Sequence, residues 1–197
     1  PHQDKVGGSH VILILQLLVG DDGGHVPGQG LVQLVVDLRH VLRHGEGQEQ
    51  QEEFYQMLQR KGDDLFRFDY HFIQGTEMEG TVIGGNIRCL LKLAGTEYFP
   101  DCHDRILLLE SLSGGMSRII AYFSQLQQMG VFEQCAGVLL GTFTQLEQEN
   151  GTDTAPELLR NFVRSDLPIA KTQQIGHGED SKAVMIGRSL LLSNEIL

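Results

Sequence analysis

Three features of the sequence predict an α/β fold: short segments with an uninterrupted apolar core at residues 105–110 (RILLLE) and 135–140 (CAGVLL), segments of helical apolar spacing around them, and glycine-containing turns where the period changes. Four consecutive apolar residues without alternation suit a strand buried on both faces, as in a sheet covered by other elements above and below. With 197 residues, 41% of them hydrophobic, the chain can bury a substantial core as one domain or one and a half.

Residues 1–50 differ in character from the remainder. Glycines recur through them, they hold five of the eight histidines, and they end in a linker-like polar run at 45–51 (GEGQEQQ). Residues 31–42 place apolar side chains at 31, 34, 35, 38, 41 and 42, the spacing of an amphipathic helix. Residues 11–19 (VILILQLLV) suit a strand or a buried helix. Gly28 and Gly30 lack the preceding strand and third glycine of a dinucleotide fingerprint, so they read as turns. From residue 51 the signals sharpen. A helix is expected at 52–61, short strands at 65–68, 71–74 and 81–83, and a helix at 87–93 whose N-cap is Asn86. After the 105–110 strand come a turn at 111–115 (SLSGG), a helix within 116–129, the 135–140 strand and a polar loop at 145–153. A helix at 155–163 carries Pro156 in its first turn, where the missing amide costs nothing. Strands are expected at 168–173, 183–186 and 188–192.

Composition narrows the function. Fifteen Lys and Arg against 26 Asp and Glu give a formal charge of −11, which repels nucleic acid and anionic membranes. Three widely spaced cysteines, Cys89, Cys102 and Cys135, form no CxxC pair and suggest neither a disulfide framework nor a zinc site; a cytoplasmic setting fits best. The longest apolar run is nine residues, too short to span a bilayer, and its flanks are not those of a signal peptide. A start at Pro1 rather than methionine suggests a fragment or a processed product.

Two residues carry the chemistry. Glu110 closes a buried strand, where a carboxylate is costly unless solvated or paired, and a glycine-rich turn and a helix follow it. In open α/β sheets ligands bind beyond the carboxyl ends of strands, although Glu110 could equally cap that helix or meet solvent in the turn. His177 sits in Gly176-His177-Gly178, whose glycines allow a tight turn and leave the imidazole unshielded. A histidine so placed is either a general base or an inert loop residue. At the ends of neighbouring strands the two would form the orienter and base of a nucleophilic triad. Asn86 competes between helix cap and ligand contact, and Ser113 between a local hydroxyl nucleophile and a cap for the helix near Met116. His40 and His44 share a helix face, but no carboxylate completes a metal pattern.

The ordered series GGN (84–86), ILLLE (106–110), GVLLGTF (137–143) and GHG (176–178), with the closing AVMIGRSLLL (183–192), resembles the C-terminal domain of the LD-carboxypeptidase family over residues 52 to 192. That family includes muramoyltetrapeptide carboxypeptidases and microcin C immunity proteins. The resemblance implies a swivelling β/β/α-type domain at 51–197, preceded by a divergent or incomplete segment at 1–50. It also implies a hydrolase, a serine protease that cleaves an L,D amide in murein tetrapeptides with a Ser, Glu and His triad, without metal or cofactor. On matching positions the catalytic Glu is Glu110 and the His is His177. The implied partner is a small peptide substrate, and fold analogy suggests a homodimer. The family's serine lies in an N-terminal domain that residues 1–50 do not resemble, and Ser9 in Gly7-Gly8-Ser9 is the one superficially similar triplet.

Three readings follow: a peptidase with a divergent N-terminal half, a catalytically silent remnant that binds a peptide or partner, and a gene fragment whose first 50 residues come from a shifted frame. The sharpest geometric expectation is that Glu110 and His177, 67 positions apart, meet at hydrogen-bond distance at the carboxyl ends of their strands.

Overall fold

The computed structural model of the chain describes residues 64–178 and 180–194, together with Glu52 and Gln56. The expectations for residues 1–50, and nearly all of the helix expected at 52–61, lie outside the described residues. The element order is β1 (His71–Gln74), β2 (Glu77–Asn86), α1 (Ile87–Leu91), β3 (Arg105–Ser111), α2 (Met116–Gln128), α3 (Val131–Gln134), β4 (Gly137–Phe143), α4 (Thr144–Asn150), α5 (Thr154–Leu159), β5 (Ile169–Lys171) and β6 (Ser189–Ser193). The strands form a six-stranded sheet in the order β1-β5-β4-β3-β2-β6. β2, β3, β4 and β5 pair in parallel, whereas β1 and β6 join the two edges antiparallel.

The parallel strands advance across the sheet in one direction, β2 to β5. Right-handed crossovers taken repeatedly in one direction put every connecting helix on the same face. That face buries Leu107, Leu109, Val138 and Leu140 against Ile119, Phe123 and Leu126 of α2 and Leu146, Ala155 and Leu159 of α4 and α5. On the opposite face Ile106, Leu108, Leu139 and Ala170 pack with Ile175, Val184 and Leu192, and Phe68, Tyr70 and Phe72 lie beside them. Among the described residues no helix packs on this second face, and irregular chain covers it, chiefly the segment between β5 and β6. Residues 106–109 are each at most 2% exposed, so burying each side chain contributes about 1.5–3 kcal/mol.

The structure departs from the sequence reading at several places. Residues 183–186 are apolar because Val184 and Ile186 pack on the second face of the sheet, not because they form a strand; the Ala183 amide donates to the Leu65 carbonyl instead of joining a ladder. Residues 65–68 are likewise no strand: Asp64–Phe66 is a 3-10 turn that buries Leu65. The polar stretch at 145–153 begins as the helix α4, whose polar side chains are spent inward, as described below. β2 also runs longer than 81–83, since Gly80, Gly84 and Gly85 continue the strand rather than interrupt it. Asn86 caps α1 as expected, its Oδ1 accepting from the Cys89 amide at 3.2 Å. Ser113 caps nothing: the N-cap of α2 is Gly115, with no side-chain cap bond.

Cys102 and Cys135 are buried and Cys89 is exposed, all three as free thiols. Burial pushes both buried thiols up from 9.0 to about 11. Between those values the native protein keeps protons that the unfolded chain has lost. Their stabilising contribution is therefore complete below pH 9 and disappears as pH rises through about 11. At neutral pH a disulfide reagent should modify Cys89 quickly and the other two only on unfolding, and the denaturation midpoint should fall above pH 9. Equal reaction of all three thiols in the native protein would contradict this packing.

Candidate active site

β3 delivers Glu110 to the carboxyl end of the sheet, one residue past its most buried segment. The side chain is 1% exposed. Across the sheet Glu110 pairs with Asn86 on β2, but its pairing with β4 is irregular. Leu109 faces Leu140 and Ser111 faces Phe143, so Gly141 and Thr142 together oppose Glu110. Such an extra residue bends the strand and re-aims neighbouring side chains, and these bulges concentrate beside functional sites.

His177 lies in the connection from β5 to β6, residues 172–188, whose described residues form no strand or helix. A connection of that length in a compact domain is commonly functional, and this one is fastened at several points. The Thr172 amide donates to the Leu140 carbonyl at 2.9 Å, and the Thr142 amide donates to the Ile175 carbonyl at 2.8 Å. Ser181 is 3% exposed, and its hydroxyl donates to the carbonyls of Gly176 (3.2 Å) and Gly178 (2.7 Å), the residues flanking the histidine. Gly176 has φ +145°, and a Cβ there would lie 1.9 Å from Thr142 Oγ1. Only glycine lets the loop lie this close to β4.

So fastened, the loop brings His177 Nδ1 to 3.0 Å from Glu110 Oε2, with the imidazole side chain 10% exposed. The separation is that of a hydrogen bond or ion pair, although the N–H direction is not aligned with Oε2. Catalytic hydrogen bonds are often imperfectly aligned before a ligand binds. The expected meeting of the two residues at the carboxyl end of the parallel strands is therefore observed. Chemically, a carboxylate on Nδ1 selects the tautomer whose lone pair is on Nε2.

Beneath this pair lies a second polar cluster, which the sequence analysis missed. Lys171, the last residue of β5, is 1% exposed, and its Nζ donates to Glu147 Oε1 on α4 and to the Gly141 carbonyl, both at 2.6 Å. Glu147 Oε1 also accepts from the Phe143 amide at 2.9 Å. Burial lowers the Lys171 pKa, and the Glu147 carboxylate opposes that shift. On the same helix Gln145 Oε1 accepts from the Gly114 amide at 2.7 Å, tying α4 to the glycine-rich turn after Glu110. The available signal was helical spacing with a single apolar residue, Leu146, which a polar run conceals. Among the described residues, no group of three or more His, Cys, Asp or Glu side chains is arranged to hold a metal ion.

Comparison with known proteins agrees with this architecture. A family model described as the LD-carboxypeptidase C-terminal domain matches residues 79–192, more than half of the chain. A Bacillus subtilis protein, YocD, whose name carries a provisional carboxypeptidase assignment, is 31% identical over 123 residues, covering 58% of this chain and 36% of its own. The crystal structure of a muramoyltetrapeptide carboxypeptidase from Oxalobacter formigenes superposes with a TM-score of 0.58 at 21% identity, covering 74% of this chain and 50% of that one. The microcin C7 self-immunity protein MccF of Escherichia coli, in complex with glutamyl sulfamoyl guanosine, superposes with a TM-score of 0.56 at 20% identity, covering 66% and 42%. At these identities the structures show a shared fold. The chain spans about a third of the length of the curated relatives it matches.

Replacing Gly176 with alanine should test the fastening of the loop. The added methyl group meets Thr142 Oγ1 in a backbone conformation that alanine avoids, so about 1–3 kcal/mol of stability should be lost in chemical denaturation. A denaturation midpoint equal to that of the wild type would show that the loop can leave β4 without cost.

Proposed function

The chain belongs to the LD-carboxypeptidase family, matching its C-terminal domain, and from that premise we propose that it supplies the acid–base half of a serine carboxypeptidase acting on an L,D amide bond in murein-derived or related small peptides. The observation that carries this reading is the 3.0 Å contact between Glu110 Oε2 and His177 Nδ1 at the carboxyl ends of the parallel strands. In this reading Glu110 holds Nδ1–H, and Nε2 accepts the proton of a serine hydroxyl as its oxygen attacks the scissile carbonyl. The imidazolium so formed is stabilised by the buried carboxylate. It then passes its proton to the leaving amine, and water completes the cycle by deacylation. Residues 64–178 and 180–194 provide the base and its orienter. The resemblance assigns the nucleophile to the N-terminal part, where the sequence offers Ser9.

A serine-reactive phosphonate tests this directly, because it captures only a serine whose proton an adjacent base removes. Mass spectrometry should find the adduct on a serine N-terminal to residue 64, and His177→Ala should reduce the labelling rate by about 10³-fold or more. Hydrolysis of an L,D-linked tetrapeptide should fall in parallel. Absence of any adduct on the wild-type chain would contradict the proposal and favour a domain that binds peptides without cleaving them.

A further inference from the structure

The buried ion pair between Lys171 and Glu147 lies outside the acid–base pair yet bears on one peptide unit that lies beside Glu110 and bonds to the loop carrying His177. That unit joins Gly141 to Thr142. Its carbonyl accepts from Lys171 Nζ at 2.6 Å, and its N–H donates to the Ile175 carbonyl at 2.8 Å, two residues before His177. Its α-carbon is wedged between the two sides of the site: a Cβ at Gly141 would lie 2.4 Å from the Ile175 carbonyl oxygen and 3.1 Å from Glu110 Cβ. Thr142 is also the residue on which Gly176 rests. Glu147 holds the next link, since its Oε1 accepts from the Phe143 amide as well as from Lys171. The two charges thus fix the rotation of a peptide plane whose far edge sets the height of the histidine loop. A buried ion pair is weak evidence of stability, because desolvation offsets its attraction, so its value is better sought in geometry.

We propose that Lys171 and Glu147 are positioning residues, which hold the Gly141–Thr142 peptide so that His177 Nδ1 meets Glu110. The proposal rests on the acid–base reading of that pair, and it can fail separately. Substitution of one charge alone leaves the other buried without its partner, whereas Lys171→Met with Glu147→Leu removes both charges together and frees only two backbone groups, the Gly141 carbonyl and the Phe143 amide.

The readout is the downfield proton resonance of His177 Nδ1–H at fixed pH, which a carboxylate partner produces and Glu110→Gln abolishes. The resonance should be present in the wild type, lost in folded Lys171→Met and in the double variant, and retained in Leu126→Ala, which removes core packing from α2. Persistence in either folded Lys171 variant would overturn the proposal. Absence from the wild type would overturn the Glu110–His177 contact itself and the proposal with it, and loss in Leu126→Ala would overturn the proposal alone, by showing that the contact responds to any weakening of the core rather than to the ion pair. The resonance requires no hydrolysis, so a chain that proved catalytically silent would leave this test intact.

Discussion

A carboxylate sealed at the end of an apolar strand is the constraint on which the rest of the site depends. Glu110 follows four residues that are almost wholly buried and is itself 1% exposed, so water cannot meet its charge. Charged groups removed from water cost several kcal/mol unless paired with well-placed partners. The imidazole of His177 is such a partner, and the chain devotes a long irregular connection to delivering it. The bulge in β4, the glycine at 176 and the Ser181 hydroxyl each serve that delivery. Removing any of them would leave the strand in place but the carboxylate poorly matched.

The topology explains why a loop can carry this histidine. Because the parallel strands advance in one direction, helices occupy one face and the other must be closed by other chain. The segment from Thr172 to Arg188 does both tasks: Ile175 and Val184 bury the second face, while His177 between them turns toward the carboxyl end of the sheet. Covering the core anchors the loop on both sides of the functional residue. This combines an unhindered backbone at the histidine with little freedom for the segment as a whole.

Much of this was legible in the residues. RILLLE announces a doubly covered strand because its apolar run does not alternate, and Glu110 at its end is conspicuous for the same reason. GHG marks a tight turn, but the unshielded imidazole expected there is not found, because the His177 side chain is packed to 10% exposure. Asn86 behaves as its type predicts at a helix start. The misreadings share a physical cause, namely residues whose environment is tertiary. Val184 and Ile186 are apolar without strand geometry because they pack on a sheet face rather than join its ladder. TQLEQEN is polar because Gln145 and Glu147 reach inward to backbone groups and to Lys171, and local periodicity cannot distinguish that from a solvated loop. Lys171 drew no notice because a lysine at a strand end is ordinarily exposed.

If Glu110 and His177 act as one unit in acyl transfer, their contributions to the rate must be coupled rather than additive. A double-mutant cycle on peptide hydrolysis, using Glu110→Gln, His177→Ala and the pair combined, measures that coupling most directly. The account predicts that the double variant is no slower than His177→Ala alone, to within about 3-fold, because an orienter has nothing left to orient once the base is gone. Rate losses that multiply in the double variant would mean that the two residues act independently, and the 3.0 Å contact between them would then be a feature of packing alone.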